Sequence, residues 1–168
     1  MLCNNYKVIT KYNTNLYKHS TTFIKMQVIG FNLKKILAER STNFQRGPIN
    51  TNIEFTDVDK EKLDMLKDLE AIKISFVFSI SYADQEKKEE LKHGQVSFEG
   101  DIILSSTKEE VKNITKSWKK KQIEEDTRIP LINFILKKCS TKALILEDDL
   151  NLPAHIPFPQ VRKGQLNQ

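Results

Sequence analysis

Residues 71–82, AIKISFVFSISY, alternate without a break between two kinds of position. Ile72, Ile74, Phe76, Phe78, Ile80 and Tyr82 fall on one side, and Ala71, Lys73, Ser75, Val77, Ser79 and Ser81 on the other. A period of two over this length predicts a long strand with one buried face. A sheet with one face wet is usually antiparallel. Two neighbours repeat the pattern. In INTNIEFTDV, Ile49, Thr51, Ile53 and Phe55 share a face, and in GQVSFEGDIILSS, Val96, Phe98, Ile102 and Leu104 do so. Gly100 interrupts the last run and predicts a bulge or bend. The stretch FNLKKILAER follows neither period fully, and Phe31, Leu33, Ile36 and Leu37 predict a bent strand. The charged ADQEKKEELKHG predicts a hairpin-like connection between the strand at 71–82 and the one in GQVSFEGDIILSS.

The period then changes. Thr107 and Glu110 form a capping box, and Val111, Ile114 and Trp118 continue at helical spacing. The charged KKKQIEEDTR extends or ends that helix. Pro130 suits a first helical position, which predicts a helix over 130–147. Its apolar stripe is Ile132, Ile135, Leu136, Cys139, Ala143 and Leu146. Leu131, Phe134 and Ile145 lie off the stripe, so the helix is apolar on more than one side. Such a helix is sandwiched within the fold or against a partner, which predicts a self-associating protein, a dimer or a dimer of dimers. Four strands followed by two helices predict an α+β domain: a four-stranded antiparallel sheet with two C-terminal helices on one face.

After the long helix stands LNLPAHIPFPQV, where three prolines alternate with Leu152, Ile156 and Phe158. Proline ends helices and cannot donate to a strand ladder, so the stretch is an extended tail. Held extended at low entropic cost, it either forms one wall of an apolar groove or caps the core, and the two roles are compatible.

With 168 residues, 39% hydrophobic and 29% charged, the chain is ordinary for a globular protein. The domain expected from the pattern runs from residue 26 to 163, followed by a flexible tail over 164–168. The net charge of +5 changes that picture little, because residues 1–38 hold six lysines and no acid. The remainder is close to neutral, without the basic footprint of a nucleic-acid-binding domain. Residues 1–25 show neither period and lack the apolar core of a secretory signal; we expect a disordered or non-native extension, with folding beginning near Met26. A non-catalytic accessory role using this basic arm on nucleic acid is the alternative. No apolar run approaches the ~18 residues of a membrane span. Cys3 and Cys139 are too few for a disulfide framework and fit reduced thiols of a cytoplasmic protein.

Catalytic chemistry is sparse. Five glycines form no phosphate-binding loop, and His19, His93 and His155 lack metal-ligand spacing. Cys139 sits mid-helix as a small buried residue, and His155 as a loop histidine. Glu147, Asp148 and Asp149 suit a solvated helix end better than a pair of catalytic carboxylates. Trp118 of WKKK suits a core anchor with its lysines in solvent, and Phe76 and Phe78 suit the core better than an RNA-stacking face. The expectation is a protein that is not an enzyme and needs no cofactor.

The order of these features resembles the SecB-type protein-export chaperones over about residues 27–161, and more closely their small archaeal members. The opening is similar to the family's first-strand pattern, Phe-x-apolar-x-basic-Ile, at Phe31, Leu33, Lys35 and Ile36. IPLINFILKKC running into LNLPAHIPF is similar to the family's long helix with an internal cysteine and its following tail. The resemblance implies a protomer that dimerises and an ATP-independent holdase that grips non-native polypeptides in apolar grooves. The residues expected to do so are Leu152, Ile156, Phe158, Phe134 and Ile145. The family docks on its export motor through acidic sheet positions and a tail. Here the C-terminus, VRKGQLNQ, is basic and the polar face carries Lys73 among serines, so general holding rather than export is the expectation.

Overall fold

A computed structural model of the chain describes residues 26–61, 69–83 and 92–159. The expected extension over 1–25, the residues 84–91 of the charged connection and the tail over 164–168 lie outside them. Four long strands form one antiparallel sheet: β1 (Gln27–Arg40), β2 (Ile49–Glu61), β3 (Glu70–Ala83) and β4 (Lys92–Ser106). The sheet order is β1-β4-β3-β2, so β2, β3 and β4 make a meander and β1 returns to pair with β4. Two helices follow, α1 (Lys108–Trp118) and α2 (Glu125–Asp149). The chain is therefore the α+β fold expected from the change of period.

One sheet face is the core. The six alternating residues of β3 are all 0–1% exposed, as are Val96, Phe98, Ile102 and Leu104 of β4. Val111 and Ile114 of α1, with Leu131, Ile135, Cys139 and Ala143 of α2, bury the opposing layer. Register carries this face across all four strands, in rows such as Ile53–Phe78–Phe98–Ile36. Phe78 and Phe98 stack within that row, ring centroids 6.0 Å apart. The row runs out of cover at the β1 edge, where Ile36 is 52% exposed.

The bend expected in β1 is a register shift between Leu33 and Lys35, opposite Gly100. A Cβ on Gly100 would stand 2.4 Å from the Asn32 carbonyl oxygen and 3.2 Å from the Phe76 ring. The missing side chain lets Phe31 stack on Phe76 across the gap, 5.7 Å between centroids. The opposite face is polar. Asp101 accepts from Lys34 Nζ at 2.7 Å and from Ser75 Oγ at 2.8 Å. Burial alone would raise the Asp101 pKa, but these bonds and the Lys73 charge outweigh it and hold the carboxyl below its ordinary value.

The capping box forms as expected: Thr107 Oγ1 accepts from the Glu110 amide and the Glu110 carboxylate from the Thr107 amide, both at 3.3 Å. Two expectations for the long helix are corrected. It begins at Glu125, not Pro130, which sits inside it. Acidic Glu125 and Asp126 favour the first turn through the helix dipole, and the missing proline N–H leaves one carbonyl near the helix start without its partner. The buried line is Leu131, Ile135, Cys139, Ala143 and Glu147, while Ile132, Leu136 and Leu146 are half-buried. Steps of four residues overshoot one turn by about 40°, so the buried line winds around α2 as the helix crosses the sheet.

Candidate polypeptide-binding surfaces

The C-terminal end of α2 is closed by a polar cluster. Asn151 adopts a left-handed conformation, φ 52°, and the Asn151 and Leu152 amides donate to Asp148 O at 3.0 Å and Glu147 O at 2.7 Å. This pair of bonds is a Schellman motif, and asparagine tolerates the backbone it needs. It turns the chain back over the sheet, where Leu152 is 7% exposed and stands over Gly94. A methyl on Gly94 would meet Leu152 Cδ2 at 2.9 Å.

Glu147 is 1% exposed, not a solvated helix end. Its carboxylate accepts from the Tyr82 hydroxyl at 2.7 Å and from the His155 amide at 3.2 Å. His155 Nδ1 lies 2.9 Å from both carboxylate oxygens. The Tyr82 hydroxyl is also 2.9 Å from the Pro153 carbonyl, and the His155 ring meets Phe78 edge-on at 6.4 Å. Burial, and then the Glu147 carboxylate, push the Tyr82 phenol far up, so it stays protonated as a donor. His155 is thus part of a buried network rather than a plain loop histidine. The sequence signal for Glu147 was its place four residues after Ala143 on the winding buried line. The acidic run beside it hid that signal.

Beyond His155 the tail emerges. Ile156 is 40% exposed and Phe158 61%. The five residues expected to bind polypeptide therefore have different settings. Leu152 belongs to the core, and Ile156 and Phe158 project from the tail. Phe134 is half-buried on α2 and meets Phe31 edge-on at 5.6 Å. Ile145 is 58% exposed and, two residues before buried Glu147, faces the other way around the helix. Leu152 is thus set apart from the two exposed tail residues, and Ile145 lies on the exposed side of α2. Cys139 is fully buried, and burial pushes its thiol up to about 11, which suits an inert core residue.

A second surface, of mixed apolar and polar lining, was not anticipated. Where α1 ends, Ile53 and Phe55 of β2, Trp118 and Ile123 line a groove of about 680 Å³, rimmed by Lys121 and Arg128. Trp118 is half-buried, packed on the core by one side and open to this groove by the other. Lys121 holds its ammonium 4.5 Å from the Trp118 ring centre while its backbone is left-handed, φ 56°. A smaller hollow of about 490 Å³ continues from it past Gln122 and Ile123 to Lys116, Lys120 and Glu124. The basic-aromatic run WKKK was the visible signal, but only the fold brings β2 beside it.

No helix among the described residues is long and apolar enough to cross a membrane. No group of three or more His, Cys, Asp or Glu among them is placed to hold a metal ion. No protein-family model matches the chain, and no curated protein matches it. Among solved structures it is similar to the Mycobacterium tuberculosis Rv1957 SecB-like chaperone, in complex with a ChAD peptide from the Rv1956 HigA1 antitoxin. The TM-score is 0.41 at 17% identity, covering 82% of this chain and 91% of that one.

Proposed function

We propose that this protein is an ATP-independent holdase of the SecB type, akin to that family's small archaeal members, that binds non-native polypeptides in the cytoplasm. The observation that carries the reading is the fastened tail. Glu147, His155 and Tyr82 secure its base, and directly beyond them Ile156 and Phe158 stand in solvent. Apolar side chains held out by a buried anchor lose little entropy when a client covers them. Gripping by side-chain burial at ~25 cal/mol per Å² tolerates varied client sequences and moderate salt. Binding alone accounts for the activity, with no cofactor and no reaction.

Self-association belongs to the same reading. Ile129 and Ile145 on α2, and Ile29 and Ile36 on β1, are exposed, and an isologous dimer, single or doubled, would cover such surfaces. Light scattering that shows a stable monomer at micromolar concentration rules that part out. Service to protein export is the narrower form of the proposal. It requires binding to an export motor by the intact protein.

The test of the main reading is direct. Stoichiometric protein without ATP should suppress aggregation of several unrelated unfolding proteins. The double change Ile156→Ser with Phe158→Ser should weaken suppression and leave the fold intact. Absence of suppression by the unaltered protein sinks the proposal, and suppression untouched by the double change moves the site off the tail.

A further inference from the structure

We infer that Phe44, in the loop between β1 and β2, is a positioning residue for the exposed tail: through Tyr82 it steadies the Glu147–His155 cluster and so fixes where Ile156 and Phe158 stand. The sheet order β1-β4-β3-β2 puts the two strands joined by this loop at opposite edges. Residues 41–48 must therefore cross the ends of β4 and β3. Three strand spacings amount to about 14 Å, and eight extended residues reach roughly 26–29 Å. With so much slack, length does not decide the path of the loop. Its anchors do.

The first anchor lies at the β1 end, where the Ser41 amide donates to His93 O at 2.8 Å. The second is Phe44, half-buried in the middle of a loop whose other side chains are mostly exposed. Its ring meets Tyr82 edge-on at 6.0 Å between centroids and His93 edge-on at 6.3 Å. The Arg40 guanidinium stands 5.0 Å from the Phe44 ring centre. Edge contacts between aromatic rings are directional, so Phe44 favours one placement of the Tyr82 ring over others.

Tyr82 is where the loop and the tail meet. The ring that carries Phe44 ends in the hydroxyl that reaches Glu147 Oε1 at 2.7 Å and the Pro153 carbonyl at 2.9 Å. A Cβ on Gly94 would come within 3.4 Å of the Tyr82 ring, 3.1 Å of the Glu39 carbonyl oxygen and 2.9 Å of Leu152 Cδ2. The end of β1, the Tyr82 ring and the base of the tail thus converge on one glycine. Tyr82 is 1% exposed. Removing Phe44 uncovers part of that ring and gives it room to turn. A hydroxyl that turns with the ring leaves Glu147, whose carboxylate also holds the His155 amide and Nδ1. The loop thereby acts on the tail without touching Ile156 or Phe158.

The fastening can be tested on the full chain alone, without a client. In hydrogen exchange read by mass spectrometry, Phe44→Ala should speed exchange over residues 150–159 by about five-fold or more, with α1 left at the parent rate. Arg40→Gln removes only the cation beside the Phe44 ring and should speed the same segment by a smaller factor. It takes the place of Phe44→Ala in both measurements if that variant fails to fold. Thermal midpoints give the second readout. Phe44 and Glu147 share Tyr82 as a partner, so Phe44→Ala with Glu147→Ala should lose clearly less than the sum of the two single losses. The functional consequence rests on the holdase reading: if the tail grips clients, Phe44→Ala should also weaken suppression of aggregation. A parent protein that suppresses nothing sinks the holdase reading and leaves the fastening standing on exchange and midpoints. Tail exchange at the parent rate in Phe44→Ala, acceleration shared equally by α1, or additive midpoint losses would each overturn the inference.

Discussion

The two ends of the helical layer expose apolar side chains by opposite means. At the end of α2 a carboxylate goes underground: Glu147 takes hydrogen bonds from Tyr82 and His155 and ties an irregular tail to the core. At the end of α1 the closure is made by backbone alone: the Lys121 amide donates to Trp118 O at 2.7 Å and the Gln122 amide to Ser117 O at 3.4 Å, another Schellman pair. The helix stops at Trp118, the chain swings through left-handed Lys121, and a groove is left between the connection and β2. A buried polar group requires all its partners, whereas an open groove tolerates charges that water still solvates. Substitutions should therefore cost more stability at the first end than at the second.

The largest effect tests the closed end. Glu147→Ala leaves the Tyr82 hydroxyl and the His155 donors without their acceptor, and removing one partner of a buried cluster costs about 3 kcal/mol or more. A fall in thermal midpoint of roughly 10 °C is expected for a domain of this size, and a fall of only a degree or two would mean the cluster holds nothing. Tyr82→Phe removes one donor and keeps the ring, so a loss of about 1–2 kcal/mol is expected in urea unfolding. An effect as large as that of Glu147→Ala would show that the hydroxyl, not the carboxylate, is the centre of the network. Ile156→Ser with Phe158→Ser, out in solvent, should stay within about 0.5 kcal/mol of the parent. A larger loss would mean the tail's end is packed rather than displayed. The smallest change is expected from Lys121→Gly. Relief of a left-handed lysine offsets the lost cation–π contact, each about 0.5–1 kcal/mol, so the unfolding midpoint should barely move. A clear loss of stability would show that the lysine supports the fold rather than the groove.

Much of this architecture was legible in the sequence because strands advertise a period of two. The β3 alternation from Ile72 to Tyr82 is buried residue for residue, and Gly100 marks the place where β1 shifts register. The long helix was harder. Its apolar residues lie all around it, so the expected stripe took in Ile132, Leu136 and Leu146 beside Ile135, Cys139 and Ala143, whereas the buried line winds from Leu131 to Glu147. Pro130 drew the helix start toward itself, because a proline is most at home in the first turn. The cluster at Glu147 was unreadable for another reason. Tyr82, Glu147 and His155 come from a strand, a helix and a tail, and nothing local to any of them announces the other two. The groove had the same difficulty, since β2 and WKKK are neighbours only after folding.

The strand order has a consequence for how the chain is made. Gln27 pairs with Ser105 and Arg40 with Gly94, so of the four described strands the first to leave the ribosome is paired by the last. At ~5–20 residues per second, β1 waits roughly 3–15 s for β4 to be synthesised. During that interval Phe31, Leu33 and Ile36 sit on a strand whose partner β4 is not yet made. The nascent protein thus passes through the kind of exposed, unpaired state that we propose the finished one holds in others.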